Sequence, residues 1–389
     1  MSNAIEYATA GAEALRRGDP LKARELLQRA ADNGRADATV MLGLARACKA
    51  LADERGMTAA LDRLLASEPR NVPALILRAD SFAAAGDTRS ASSFYLAAIR
   101  AAPPAAQTAP DLAQELRRAQ QMCERYANEY KTYLRQSLSA KGFDEGRSSP
   151  RFAQSLDIIL GRKQIYLQQP RYYYFPGLPQ IQFYERAQFP WMDELEAATG
   201  AIQAELAGVM QDADAFAPYV TGDANRPRND KMGMLNNPAW SAFYLVKNGD
   251  LVPKNAARCP KTMRALEHAP LARVPYRSPS VLFSLLKPGA HIPPHNGLVN
   301  TRLVCHLPVV VPGKCTFRVG NDLRDWVYGK AWAFDDTIEH EAWNHADQTR
   351  VVLLFDIWRP ELTEEERALV VSLFEAIDAH SGKKPEWEI

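Results

Sequence analysis

The strongest constraint on the fold is a recurrence of 34 residues within the first 102 residues of the chain. The positions that match at this offset, or at twice this offset, are Gly18-Asp19 with Ala52-Asp53 and Gly86-Asp87, Ala23 with Ala91, and Pro69 with Pro103. This segment is rich in Ala, Leu, Arg and Asp and contains no Trp or His, which is typical of helical structure. Because one unit of this length cannot bury its apolar face alone, we expect a stack of similar helical units.

The recurrence predicts tetratricopeptide-type repeats, in which a helix, a turn and a second helix occupy 34 residues. The second helix would carry an apolar stripe, formed in the first unit by Ala23, Leu26, Leu27 and Ala30 and in the third unit by Ala91, Phe94, Tyr95 and Ala98. The middle unit departs most from the pattern, so we expect a short array of about three repeats within residues 1–105. An ordinary Ala-rich helical bundle is the alternative. The shared spacing of the turn and the closing proline favours the repeats.

Residues 106–165 are expected to form a helical cap or linker. The segment 111–139 predicts one long helix, which ends before Gly142 and the sequence Ser148-Ser149-Pro150. The aromatic, proline and glycine content rises sharply at 172–177. We therefore expect the second domain to occupy residues 166–389.

Beyond Pro270 the hydrophobic pattern changes to alternation with a period of two. The predicted strands, separated by Pro, Gly, Asn and Asp, are 280–286, 302–311, 315–319, 330–334 and 350–358. Several short strands divided by turn residues predict a sandwich or jelly roll, and a terminal helix at 364–380 would cover one sheet face. The fold class is therefore multidomain, with α-helical repeats followed by an all-β domain.

The charge balance argues against nucleic acid and membrane surfaces as partners. The 389 residues include 47 Lys and Arg and 46 Asp and Glu, which gives a formal net charge of +1. Such a chain has no bulk attraction for a phosphate backbone or an anionic bilayer. No apolar run approaches the roughly 18 residues that a spanning helix needs. The first residues lack the basic and apolar regions of a secretory signal, so we expect a cytoplasmic protein without membrane insertion.

Five of the seven histidines lie between residues 291 and 345, and none precedes residue 268. Neutral imidazole is the commonest side-chain ligand for iron, zinc and copper, so this concentration indicates a mononuclear metal site. The two candidate ligands are His295 and His340, each of which lies beside strand and turn signals. A centre of two histidines and one carboxylate would place Asp or Glu two residues after the first histidine, where this chain has Gly297.

The segments around these histidines resemble the aspartyl/asparaginyl β-hydroxylase family. In chain order the segments are YYFPGL at 173–178, CP at 259–260, FSLLKPG at 283–289, PHNG at 294–297, RLVCHL at 302–307, FDD at 334–336, EHEAW at 339–343, Arg350, and DIWRPEL at 356–362. They span most of residues 170–362 in the family's order and with close spacing. The resemblance implies a double-stranded β-helix of the jelly-roll or cupin-like type, and animal members likewise carry tetratricopeptide repeats ahead of it.

The resemblance also implies a chemistry, namely oxygenation that depends on Fe(II) and 2-oxoglutarate and consumes O2. It implies metal ligation and catalysis by His295 and His340, in a family that lacks the metal-binding carboxylate. It implies 2-oxoglutarate binding by Ser284, His306 and Arg350. The residues agree with the last role, because Arg350 opens an apolar run and a cation facing a small cavity needs an anion to offset its burial.

Strand alternation places Arg302, Val304 and His306 on one face of a predicted strand. The resemblance implies that positions 302 and 304 bind substrate, and that animal members use arginine at both to receive a substrate carboxylate. Because Val304 provides no cation, we expect the selectivity to be altered away from aspartyl side chains. Arg226 and Arg228 are the other cations that the sequence offers for this role.

The predicted function is hydroxylation of a peptide or protein side chain by an Fe(II)- and 2-oxoglutarate-dependent dioxygenase. The helical repeats are a candidate second surface for binding the substrate protein. Two alternatives stay open at this point. One is a hydroxylase of a lipid or small molecule, and the other is a tetratricopeptide adaptor whose β domain has lost catalysis.

Overall fold

The computed structural model describes residues 2–104, 109–221 and 233–381. The chain divides into two compact units, Met1–Leu160 and Gly161–Ile389. The first unit is helical and the second contains the β-strands, so the predicted order of helical repeats before a β domain is confirmed. Within the described residues, no helix is long and apolar enough to cross a membrane.

Six helices form three consecutive pairs in the first unit. They are α1 (Ser2–Arg16), α2 (Pro20–Asp32), α3 (Ala38–Ala50), α4 (Glu54–Ser67), α5 (Val72–Ala84) and α6 (Thr88–Ala101). The second helices of the pairs begin at residues 20, 54 and 88, at intervals of 34 residues. The period seen in the sequence is therefore the period of the helix pairs.

The recurring dipeptide forms the turn inside each pair. The N-terminal caps of α2, α4 and α6 are Asp19, Asp53 and Asp87. Each of these carboxylates accepts a hydrogen bond from the backbone N–H three residues later, which satisfies one free donor of the helix start. The preceding residue has a positive φ of 79° at Gly18, 56° at Ala52 and 79° at Gly86. Glycine adopts this left-handed conformation without strain, whereas Ala52 places a Cβ in it.

The predicted apolar stripes face neighbouring helices. The buried members are Ala23, Leu27 and Ala30 in α2 and Ala91, Tyr95 and Ala98 in α6, while Leu26 and Phe94 are half-buried. Helix α7 (Pro110–Ser139) follows the last pair, and its Ala119 and Tyr126 join the core that contains Tyr95. The long helix therefore covers the end of the array, and α8 (Pro150–Ile159) comes after it.

Two antiparallel sheets build the second unit. The strands are β1 (Ala217–Pro218), β2 (Trp240–Lys247), β3 (Asp250–Leu251), β4 (Val281–Leu286), β5 (His291–His295), β6 (Arg302–Val310), β7 (Cys315–Val319), β8 (Asp322–Asp325), β9 (Trp332–Phe334), β10 (His340–Asn344) and β11 (Arg350–Trp358). The larger sheet has the order β1-β2-β4-β11-β6-β9 with β3 paired to β2, and the smaller sheet has the order β5-β10-β7-β8. Side chains of both sheets share one core, so the sheets face each other as the predicted jelly roll requires.

Helices cover the outer face of the larger sheet. The helices of this unit are α9 (Met192–Ala197), α10 (Thr199–Met210), α11 (Pro253–Ala256), α12 (Pro260–Ala265) and α13 (Glu364–Ser381). The core on the outer face contains Met192, Leu195, Ile202 and Leu206 of α9 and α10 together with Leu303, Cys305 and Leu307 of β6. Alternation then turns the other side chains of β6 toward the smaller sheet.

The terminal helix is in the predicted place along the chain but not on the predicted surface. Helix α13 does not cover a sheet face, because α9 and α10 occupy the outer face of the larger sheet. Its Val370 and Phe374 instead pack on Val274, Leu298 and Val299 in the connections between strands. An ion pair between Arg277 and Asp378 fixes the end of the helix.

A buried ion pair ties the ends of β9 and β11 together. Arg359 is fully buried and its Nη1 donates to Asp335 Oδ2 at 2.9 Å. The same guanidinium donates to the backbone oxygens of Asn300 and Pro179 and to the Tyr184 hydroxyl. The Asp335 carboxylate also accepts hydrogen bonds from the backbone N–H and the hydroxyl of Thr337 and from the Gln168 amide. Nearly every polar atom of the pair is therefore satisfied.

We expect Arg359→Met to lower the free energy of unfolding by about 3–5 kcal/mol, because it leaves the Asp335 carboxylate buried without a cation. Urea denaturation measures the loss, and the second substitution Asp335→Asn should recover part of it. Arg147→Met is the control, since Arg147 pairs with Asp144 on the surface and should lose less than about 1 kcal/mol. A loss at Arg359 no larger than at Arg147 contradicts this role.

Candidate active site

Two histidines meet at neighbouring strand ends. His295 is the last residue of β5 and His340 is the first residue of β10, and the two are paired across the strands. Their ring centroids lie 4.1 Å apart. Two residues that are 45 positions apart in sequence thus reach one point because their strands are neighbours in the smaller sheet.

Backbone carbonyls fix the orientation of both rings. His295 Nδ1 lies 2.8 Å from the carbonyl oxygen of Pro293, and His340 Nδ1 lies 3.1 Å from that of Ile338. A carbonyl oxygen only accepts, so each Nδ1 carries the proton and each Nε2 keeps its lone pair. Burial lowers the pKa of His295 to about 4 and that of His340 well below its ordinary value. Both rings are therefore neutral near pH 7, the form that binds metals.

Both histidines line a cleft between the two sheets. The described residues that line it include Tyr219, Trp240, Tyr244, Ser284, Leu298, Arg302, Val304, His306, Phe317, Trp326, Phe334, Asp336, Arg350, Leu354 and Asp356. All seven site residues predicted from the sequence lie on this cleft.

One end of the cleft contains a buried cation without a described counter-charge. Arg350 is 1% exposed and its guanidinium lies over the Trp326 ring at 4.5 Å. Its Nη1 donates to the backbone oxygen of Ser284 at 3.2 Å, and its Nε has no partner. Burial lowers the pKa of Arg350 to about 10. Among the residues that the structure describes, no carboxylate forms an ion pair with Arg350. An anionic ligand would therefore offset the energetic cost of burying this charge.

The neighbours of Arg350 offer further polar atoms to such a ligand. His306 on β6 is 5% exposed, and its Nδ1 has no hydrogen-bond partner. Burial, reinforced by the charge of Arg350, holds the pKa of His306 well below its ordinary value. The Ser284 hydroxyl accepts a hydrogen bond from Trp240 Nε1 at 3.2 Å. The predicted trio of Ser284, His306 and Arg350 is thus brought together by β4, β6 and β11.

The predicted substrate-binding pair lies on the same strand face. Val304 is buried beside the cleft, and Arg302 lines it. The Arg302 guanidinium, however, is already paired, with Nη1 2.6 Å from Asp356 and Nη2 3.4 Å from Asp336. Sequence reasoning missed both carboxylates. Asp356 could have been found, because alternation along the predicted strand 350–358 places it on the face of Arg350.

Asp336 occupies the space beside Gly297. A Cβ at Gly297 would lie 2.1 Å from Asp336 Oδ2, which excludes any side chain at this position in the present geometry. Burial raises the pKa of the Asp336 carboxyl to about 7, and the negative charges of Asp335 and Asp356 add to the effect. In the described parts of the chain, no three His, Cys, Asp or Glu side chains form a metal-binding group. The site therefore offers two histidines to a metal.

Residues 196–360 match the family model described as aspartyl/asparaginyl beta-hydroxylase. This part of the chain is therefore similar to that family, and the resemblance predicted from the sequence is confirmed. The matched residues include both histidines, Arg350 and the two carboxylates around Arg302.

Curated relatives carry names of different hydroxylases. The ornithine lipid ester-linked acyl 2-hydroxylase of Rhizobium tropici is 36% identical over 183 residues, which cover 46% of this chain and 60% of that relative. Human aspartyl/asparaginyl beta-hydroxylase is 37% identical over 129 residues, 33% of this chain and 17% of the relative. Human aspartate beta-hydroxylase domain-containing protein 2 is 30% identical over 212 residues, 54% of this chain and 55% of the relative. The chain thus spans at most 60% of the length of these three relatives.

A solved structure of the Yersinia enterocolitica type III secretion chaperone SycD, in complex with a peptide of the translocator YopD, is similar to part of the chain. The TM-score is 0.31 at 13% identity, and the match covers 33% of this chain and 96% of SycD.

We expect Gly297→Ala to lower the free energy of unfolding by about 1–3 kcal/mol, because the new methyl group must displace the buried Asp336 carboxyl. Chemical denaturation measures this loss, and adding Asp336→Ala should restore part of it by removing the colliding atoms. Gly208→Ala is the matched control, since a Cβ there meets nothing within 4 Å and alanine favours the α10 helix. Equal stability of the Gly297 and Gly208 variants would show that the space is free.

Proposed function

We propose that the chain is an Fe(II)- and 2-oxoglutarate-dependent hydroxylase that acts on a side chain of a peptide or protein. One observation carries this proposal: a pair of neutral, oriented histidines and a buried, unpaired arginine share a single cleft. The family model and two of the relatives are named as hydroxylases, which agrees with this proposal.

His295 and His340 would hold the metal through Nε2. Their Nδ1 atoms are held by backbone carbonyls, so neither ring needs to rotate or lose a proton before binding. When bound, iron and 2-oxoglutarate supply the oxidation of a substrate C–H bond by O2, with succinate and carbon dioxide as the other products. With only two protein ligands, retention of the metal would depend strongly on this preset orientation and on the co-substrate.

Arg350 would bind a carboxylate of 2-oxoglutarate. Its planar guanidinium can donate two parallel hydrogen bonds, and the unpartnered Nε is one of the available donors. His306 and the Ser284 hydroxyl lie beside it as further hydrogen-bonding groups. Phe317, Trp326 and other aromatic side chains wall this end of the cleft and keep water from the anion.

The helical repeats support a polypeptide substrate. Three stacked helix pairs capped by a long helix form an extended surface of the kind that repeat proteins use to bind partners. The adaptor alternative requires that catalysis be lost, yet the histidine pair, Arg350 and the enclosed cleft are all present.

A lipid acyl chain is the second candidate substrate. The cleft wall also contains the stacked rings of Tyr219 and Trp240, whose centroids lie 4.2 Å apart, and the apolar Leu298 and Val304. Such a wall would accept a hydrocarbon chain as readily as an apolar peptide segment. The relative named as an ornithine lipid acyl 2-hydroxylase gives this candidate its further support.

Replacing either histidine should abolish turnover and leave the fold intact. We expect His295→Ala and His340→Ala each to reduce succinate formation from 2-oxoglutarate by at least about 100-fold, because half of the protein ligands are removed. His345→Ala is the matched control, since His345 is exposed and does not line the cleft. Near-normal succinate formation by either variant, with circular dichroism confirming the fold, would remove the metal assignment.

Arg350→Lys should raise the 2-oxoglutarate concentration needed for half-maximal turnover by about 10-fold or more. A lysine ammonium replaces the planar fork by a point charge and loses one of two parallel hydrogen bonds. The control is Arg264→Lys on α12, where the side chain is exposed. An unchanged saturation curve for the co-substrate in the Arg350 variant contradicts its role as the carboxylate-binding group.

A further inference from the structure

A buried indole N–H group lies at the Arg350 end of the cleft without an acceptor. Trp326 is 4% exposed and lines the cleft. Its Nε1 makes no hydrogen bond to any group in the described part of the chain. A buried N–H group without an acceptor is unfavourable, because its lost hydrogen bond to water is not replaced. A ligand in the cleft that supplies an acceptor would remove this cost.

Neighbouring groups hold the Trp326 side chain in place. The residue directly follows β8, and its backbone N–H donates to the carbonyl oxygen of Cys315 at 3.3 Å. Its ring centroid lies 5.3 Å from that of Phe317 and 6.0 Å from that of Trp332. A side chain packed in this way loses little conformational freedom when it binds a ligand.

Arg350 contributes a second donor to the same corner of the cleft. Its guanidinium carbon lies 4.5 Å from the centre of the Trp326 ring, and its Nε has no described partner. Indole and guanidinium groups only donate, so neither can satisfy the other. A carboxylate has two oxygens that can accept from both groups, and its charge offsets that of Arg350. A neutral carbonyl group would leave the charge without a partner.

Trp332 shows what distinguishes Trp326 from a simple packing defect. Its Nε1 is also buried and without a described partner. Trp332, however, is not among the described residues that line the cleft. The two tryptophans thus have the same unsatisfied group in one aromatic cluster, and only Trp326 is placed to contact a ligand.

We propose that Trp326 is a co-substrate-binding residue, whose indole N–H donates a hydrogen bond to the 2-oxoglutarate carboxylate that Arg350 binds. The neutral donor adds to the charged one, so it raises the preference for a 2-oxo acid with a second carboxylate over one without it. This inference rests on the proposed function, because it takes 2-oxoglutarate as the occupant of the cleft.

Two ligands that differ only in the second carboxylate provide the test. They are 2-oxoglutarate and 2-oxovalerate, in which a methyl group replaces that carboxylate. Isothermal titration calorimetry measures both dissociation constants on the full chain loaded with Zn(II), which stands in for iron and supports no turnover. Trp326→Phe keeps an aromatic ring beside Phe317 and Arg350 and removes the N–H group.

We expect Trp326→Phe to raise the dissociation constant of 2-oxoglutarate about 10-fold, because a hydrogen bond to a charged acceptor is lost. The dissociation constant of 2-oxovalerate should change by less than about 2-fold, since this ligand has no acceptor for the removed donor. Trp332→Phe is the matched control and should leave both constants within about 2-fold of the unmodified chain. Circular dichroism confirms that both variants fold.

Equal weakening of both ligands by Trp326→Phe would assign the residue to packing alone and overturn the proposal. Unchanged binding of 2-oxoglutarate by this variant overturns it as well. If the unmodified chain binds the two ligands equally, the role of Arg350 in the proposed function fails first. If the unmodified chain prefers 2-oxoglutarate and the variant keeps that preference, only the role of Trp326 fails.

A second measurement uses the unmodified chain and does not depend on the folding of a variant. In isotope-labelled protein, the indole N–H signal of Trp326 is identified by NMR from its through-space contact with the Phe317 ring. We expect this signal to move downfield when 2-oxoglutarate is added and to stay in place when 2-oxovalerate is added. A signal that responds equally to both ligands, or to neither, contradicts the hydrogen bond.

Discussion

The geometry of the cleft depends on the buried ion pair between Arg359 and Asp335. This pair fixes the end of β9, the end of β11 and the segment that leads into β10. Asp336 follows Asp335 directly, so the ion pair also places the Asp336 carboxyl beside Gly297 and within reach of the Arg302 guanidinium. Four residues later the chain reaches His340. One well-satisfied ion pair outside the cleft thus sets the positions of groups inside it.

Local signals predicted much of the fold. Aspartate caps and left-handed turn residues recur with the helix pairs, and alternation located β6 and β11 within two residues of their ends. The sequence did not reveal β5 or β10, because HIPPH contains two prolines and HEAWN is polar, and neither alternates clearly. The surface on which α13 packs was also not predicted, because it depends on where α9 and α10 pack and not on the sequence of α13 itself.

The candidate site was predictable where residues share a strand and unpredictable where they meet across the fold. Alternation along one strand placed Arg302, Val304 and His306 together, and the structure shows all three on the cleft. The pairing of Arg302 with Asp336 involves a carboxylate 34 residues away that reaches it through a connection between strands. No periodicity encodes such a contact. The pairing of charges in the cleft could therefore not be predicted from the sequence, although the sequence contains each of the charged residues.

The left-handed alanine in the middle repeat shows how a linear array tolerates a local defect. A Cβ at Ala52 opposes the φ of 56° that the turn requires, at a cost of about 1 kcal/mol compared with glycine. The stability of a repeat array is approximately the sum of the stabilities of its units and of the interfaces between neighbours. The central unit has two such interfaces, and the third unit gains a second one from α7, whereas the first unit has one. The strained turn therefore lies in a unit that neighbours support on both sides, and the less supported first unit keeps its glycine.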